Sequence, residues 1–175
     1  MLNAMTNEQR PKIDLEQTPA DRILEGVAAA GLLILLVLPA VYYQELPGTI
    51  PIHFNAAGAA DGYGDKSMVW MLPLIGLGIY LMMTFINRRP HIFNYPVKIT
   101  PENAEQQYKT ATRLIRILKA AIMLLFAYIC WGMIQGALSG QASLGPGFLW
   151  ITLGAIFGTL VWYLWTAIRE RDTRR

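Results

Sequence analysis

Four long apolar segments, residues 23–43, 68–86, 114–134 and 148–168, decide what this chain can become. A helix rises 1.5 Å per residue, so about 20 apolar residues cross the roughly 30 Å of hydrocarbon in a bilayer. Composition agrees, with 54% hydrophobic and 15% charged residues, where a soluble domain carries about 25% charge. The reading is an all-α integral membrane protein with four transmembrane helices, forming one bundle over residues 22–175 behind a short tail at 1–21. The tail mixes acids and bases without apolar periodicity and is expected to be poorly ordered. The first segment does not read as a cleaved leader. The residues before it are of mixed charge, the apolar run is long, and Pro39-Ala40-Val41 is a poor cleavage site.

Lys and Arg set the orientation. Of the 15 in the chain, Lys66 alone falls in the first or third connection. The rest cluster in the N-terminal tail, between Arg88 and Lys119, and after Ile168. The positive-inside rule then places both termini and the loop 87–113 in the cytoplasm, and the loop 44–67 outside the cell (inner) membrane. Tyr42, Tyr43, Trp70, Trp131 and Trp150 fall toward the outer interface, and Trp162, Tyr163 and Trp165 toward the inner one.

The third helix is expected to extend into the cytoplasm. Thr100-Pro101 looks like an N-cap followed by proline at the first helical position, and no breaker follows until Gly132. The helix is thus predicted over 101–135, with Glu102 and Glu105 at the positive end of its dipole. Lys109, Arg113 and Arg116 share one face by spacing, which would meet anionic headgroups or water. The small-residue pairs Gly26/Ala30, Gly132/Gly136 and Gly154/Gly158 are expected to pack helices within the bundle, in preference to a homodimer seam. Cys130, the single cysteine, excludes an internal disulfide and reads as a packing residue.

The densest run of special residues is Leu46–Lys66, LPGTIPIHFNAAGAADGYGDK. Pro47 and Pro51 favour an extended backbone. Gly58, Gly62 and Gly64 permit angles that other residues avoid, and Asp61-Gly62 is a turn signal. His53, Asn55, Asp61, Asp65 and Lys66 supply its polar groups. Their spacing fits no closed tetrahedral metal site, and a lone histidine without an evident partner does not make a catalytic centre. No metal, cofactor or catalytic residue is therefore assigned, and His53 and Asn55 are expected to bond the loop to itself. The spans read as free of ionisable residues between their interfacial ends, with Glu25 in the first turn of its helix, which argues against a pump, an ion-coupled transporter or an intramembrane protease.

The residues Pro47, Pro51, His53, Phe54, Asn55, Gly58, Asp61 and Lys66 resemble the hallmark of a bacterial membrane domain family of unknown function. That domain also stands at the N-terminal end of immunity proteins against the sporulation-delaying peptide toxin. On the cytoplasmic side Arg88 ends the second span. Beyond it, Asn94-Tyr95-Pro96 with Thr100 and Asn103 resembles a sequence of the same family. The resemblance implies an integral membrane protein whose outer loop recognises something. The expected function is non-enzymatic binding or sensing, or an immunity-like role, with the bilayer and a peptide, lipid headgroup or membrane protein as partners and no nucleic acid. The alternative is a small subunit or assembly factor of a larger membrane complex. A membrane enzyme using His53 and Asp61 and a small-solute transporter rank behind these.

Overall fold

The computed structural model describes residues 10–170. Helix α1 (Pro19–Tyr42) leads to a hairpin of β1 (Thr49–Phe54) and β2 (Ala60–Asp65), followed by a short 3-10 turn and α2 (Met71–Ile86). After a polar loop come α3 (Ala104–Ser139) and α4 (Phe148–Arg169). Four helical stretches are long and apolar enough to cross a membrane, as expected. The departure from an all-α chain is the two-stranded antiparallel sheet.

Helix α1 starts at Pro19, ahead of the apolar run, because a polar cap lies upstream. The Thr18 hydroxyl accepts from the Asp21 N–H at 3.2 Å, and the Asp21 carboxylate accepts from the Thr18 N–H at 3.0 Å. This reciprocal capping box, with proline at the first position, nucleates the helix. The part of the predicted loose tail that is described is tied down. Arg10 donates to the carbonyl of Phe93 at 2.7 Å and to that of His91 at 3.2 Å. Ile13 and Leu15 pack on Ile99, Ala104 and Tyr108. Residues 1–9 and the terminal arginines Arg171, Arg174 and Arg175 lie outside the described residues.

Helix α3 starts three positions later than the Thr100-Pro101 signal indicates. Asn103 stands at its N-cap, and its side-chain carbonyl accepts from the Thr100 N–H at 2.9 Å. At the other end the helix runs past residue 135 to Gly140, whose left-handed backbone (φ 73°) ends it. Being central, α3 packs against α1, α2, α4 and β1.

Close helix approach uses other glycines than the spaced pairs. A Cβ on Gly31 would stand 3.0 Å from Met123 Cβ, and one on Gly76 would stand 2.6 Å from a Leu35 methyl. Gly26, Gly154 and Gly158 have no heavy atom near enough to matter. Gly132 and Gly136 face Leu144 and Ala142 of the α3–α4 connection, not another helix. Residue spacing finds candidate seams, but only the helix rotation decides which face is buried.

The main apolar core lies under the hairpin, where Leu35 of α1, Ile50 of β1, Val69 and the α3 residues Cys130, Met133 and Ile134 meet. Cys130 is buried there as a packing residue. Helix α4 is held at its two ends. Phe148 stacks with Tyr128 at 6.0 Å, and Tyr163 and Ala167 pack on Ala111 and Leu114. Between these contacts an apolar cleft of about 750 Å³ separates α4 from α3.

The hairpin turn tests this architecture. Gly58 has φ 80°, and a Cβ there would overlap the Gly145 carbonyl oxygen. Gly58→Ala is expected to lower stability by about 2 kcal/mol or more, the left-handed penalty alone being about 1–2 kcal/mol. Gly78→Ala, in open space on α2, should be neutral or slightly stabilising. Thermal unfolding of the detergent-solubilised variants measures both.

Candidate functional site

The hairpin is built by the motif residues themselves. Pro51 is buried against α3, where a Cβ on Gly136 would lie 3.4 Å from its ring. Asn55 makes the turn: its side-chain carbonyl accepts from the N–H groups of Ala57 at 3.0 Å and Ala59 at 3.1 Å. Its backbone N–H donates to the Ala59 carbonyl and its own carbonyl accepts from Gly58. This Asx arrangement with the left-handed Gly58 reverses the chain at 55–58. The Asp61-Gly62 signal is therefore not the turn, and both residues lie within β2.

The turn is then fastened from outside. The Leu144 N–H donates to the Gly58 carbonyl at 2.7 Å, and the Ala60 N–H donates to Ala142 at 3.1 Å. The Tyr128 hydroxyl donates to the Leu144 carbonyl at 2.9 Å, joining this connection to α3. At the far end of the hairpin the Lys66 N–H donates to Gly48, and the Lys66 ammonium lies 4.8 Å from the centre of the Tyr43 ring. Asp65 caps the next turn by accepting from the Ser67 N–H at 2.8 Å. Hydrogen bonding to Ser67 holds its carboxyl below the usual carboxylate range.

What remains exposed is a small polar face. The strand pairing jumps from Pro51↔Tyr63 to His53↔Gly62, so Ile52 forms a bulge. His53 then lies directly over Gly62, where a Cβ would stand 2.9 Å from His53 Cβ. That close approach lets His53 Nδ1 meet Asp61 Oδ1 at 2.5 Å. The two side chains are 70% and 43% exposed, and Tyr63 on the same strand is 61% exposed. Pro47 is exposed at the start of the hairpin. Of the motif residues, then, Pro51, Asn55, Gly58 and Lys66 build or anchor the hairpin, while His53 and Asp61 are presented by it.

The motif at the opposite end is mostly scaffolding. The Tyr95 hydroxyl donates to the Pro90 carbonyl at 2.8 Å, and its ring lies under the Arg10 guanidinium. Burial pushes its phenol well above the ordinary range, so it stays a neutral donor. Asn103 ties its side-chain amide to the Lys98 carbonyl at 2.9 Å. Asn94, Pro96 and Arg88 are exposed.

A second polar cluster lies inside the bundle, where the spans were expected to hold no ionisable group. Lys119 of α3 is fully buried. Its ammonium reaches Glu25 of α1 at 2.6 Å and the Thr84 hydroxyl of α2 at 2.9 Å, and lies 4.7 Å from the centre of the Tyr80 ring. Arg116 is 3.4 Å from Glu25 and 3.5 Å from Asp21, while Arg113 donates to Asp21 at 3.1 Å. The stripe expected to meet headgroups or water is thus split. Lys109 pairs with Glu105 along the helix, and Arg113 and Arg116 turn inward. The sequence signal was present: Glu25 and Lys119 are opposite charges near the same end of two spans.

Removing one member of a buried ion pair strands the other, at a cost of about 3–5 kcal/mol. Lys119→Met is expected at the low end of that range, because Arg116 still lies near Glu25. The double variant Glu25→Gln/Lys119→Met should cost less than the sum of the single changes. A double-mutant cycle of unfolding free energies measures the coupling.

Comparison with known proteins adds a domain but no activity. An uncharacterised protein of Archaeoglobus fulgidus is 34% identical over 71 residues, covering 36% of this chain and 39% of that relative. The chain thus spans well under half of the relative's length. No solved structure matches the chain. Residues 30–77 match the model of a domain of unknown function, DUF1648, a stretch running from α1 through the whole hairpin into α2. The match thus falls on the hairpin and its flanking helices, within a chain that has four helices long and apolar enough to cross a membrane.

Proposed function

We propose that this protein is a non-enzymatic membrane protein that binds a partner through the exposed face of its hairpin, on the outside of the cell membrane. The observation that carries the reading is the His53–Asp61 pair. Exposed ion pairs contribute only about 0.2–1 kcal/mol to stability, so this pair is poorly accounted for as a brace. It is nonetheless displayed on the strands beside a turn fixed by hydrogen bonds from Leu144 and Ala60. A rigid, preorganised polar face lowers the ordering cost of binding. Tyr63, exposed two residues along the strand from Asp61, offers an amphipathic contact of the kind enriched in binding interfaces. The partner is a peptide or the exposed part of a neighbouring membrane protein, and immunity-like recognition of a peptide is one form of this.

The orientation rests on the distribution of Lys and Arg. The non-enzymatic reading rests on the dyad's surroundings. Among the described residues no hydroxyl or thiol hydrogen-bonds to His53, so the dyad holds no side-chain nucleophile of the kind covalent catalysis needs. A second reading, a subunit of a larger complex, is favoured by α4, where Gly154 and Gly158 face open space.

His53→Ala/Asp61→Ala should leave thermal stability within about 1 kcal/mol of the parent and abolish photocrosslinking to a recurrent partner from a probe at position 63. Unchanged crosslinking would refute hairpin recognition. Crosslinks that appear only from probes on α4 would favour the subunit reading.

A further inference from the structure

At the end of α2 the chain turns through Asn87–Arg89 into a short 3-10 turn, Pro90–Ile92. Between this turn and the helix lies a crevice of about 530 Å³ lined by Phe85, Ile86, Arg88, Arg89 and Ile92. Its lining is divided in character. Phe85, Ile86 and Ile92 are large apolar side chains left exposed, and the two arginines are exposed beside them. The Arg88 guanidinium lies 5.5 Å from the centre of the Phe85 ring, at the junction of the two halves.

Several other cations at this end of the bundle are already engaged. Arg113, Arg116 and Lys119 are paired with Asp21 and Glu25, and Lys109 with Glu105. Arg10 is committed to two backbone carbonyls. Among the described residues neither Arg88 nor Arg89 forms a salt bridge. Two adjacent guanidiniums without an acid, at the end of a membrane-spanning helix and beside exposed apolar side chains, call for a ligand that is anionic at one end and apolar at the other.

We propose that this crevice holds one anionic phospholipid, its phosphate on Arg88 and Arg89 and an acyl chain along Phe85, Ile86 and Ile92. The guanidinium fork matches phosphate oxygens in a bidentate way that an ammonium does not. The stripe Lys109/Arg113/Arg116 is less suited to this role, because its members are already paired with Glu105, Asp21 and Glu25. The site is independent of what the hairpin binds.

The test uses the full chain in nanodiscs made of equal parts phosphatidylcholine and phosphatidylglycerol. Native mass spectrometry after transfer to detergent then counts the lipids retained. The parent should retain phosphatidylglycerol in preference to phosphatidylcholine. Arg88→Gln and Arg89→Gln should each reduce that retention by about five-fold, from an attraction of roughly 1 kcal/mol per basic residue at an anionic surface. Arg88→Lys/Arg89→Lys should fall between the parent and the glutamine variants, and Arg22→Gln, at the same end of the bundle, should change nothing. Phe85→Ala/Ile92→Ala should retain less of either lipid, which keeps the question decidable if the arginine variants lose helicity. Equal retention of both lipids by the parent, undiminished retention by Arg88→Gln/Arg89→Gln, or an equal loss in Arg22→Gln would each overturn the site. Release of the lipid by inorganic phosphate would overturn the lipid assignment in favour of a free anion.

Discussion

The contact on which the arrangement depends is the buried charge cluster between α1 and α3. Lys119 is taken fully out of solvent and satisfied from two other helices, by Glu25 of α1 and Thr84 of α2. In a bundle whose core contacts are mostly apolar and whose surroundings are as apolar as its core, side-chain packing alone distinguishes poorly between helix rotations. A buried cation that must meet one carboxylate and one hydroxyl does distinguish them. Such pairs contribute little net stability, because desolvation offsets attraction, but they penalise every arrangement that leaves one member alone. Asp21 extends the same constraint by serving both the α1 cap and the arginines of α3.

Fixing α1 against α3 in turn positions the hairpin. The loop between α1 and α2 closes over the end of α3, where Pro51 packs beside Gly136 and a Cβ on that glycine would overlap Ala142. The α3–α4 connection then completes the platform by bonding to Gly58 and Ala60. The conformation of the hairpin therefore depends on three separate parts of the chain. Its exposed face presents His53, Asp61 and Tyr63 with little freedom, which is what a recognition surface requires. Helix α4 is less tightly integrated, since it touches α3 at both ends and is separated from it by a cleft in between.

The two ends of the molecule thus differ in how they use charge. At the hairpin end an acid and a histidine hydrogen-bond to one another on an exposed face. At the other end the acids of α1 are engaged by α3, and Arg88 and Arg89 form no salt bridge among the described residues. The first arrangement suits a partner with hydrogen-bonding groups, and the second suits an anion.

The sequence by itself determined the class of fold and the segments that make it. Four runs long enough to cross hydrocarbon cannot be satisfied except as helices, so length and apolarity settle them without reference to neighbours. It also located the hairpin motif, because proline, asparagine and glycine act on their own backbone. Tertiary structure decided what depends on contacts distant in sequence. It placed the turn at Asn55–Gly58 instead of Asp61-Gly62, since that turn is completed by Leu144 and Ala142. It turned Arg113 and Arg116 inward, since their carboxylates lie some ninety residues away on α1. It also made Gly31 and Gly76, not the evenly spaced glycine pairs, the points of close helix approach. Local chemistry specifies each element, but the rotation of one helix against another is set by which buried groups must be satisfied together.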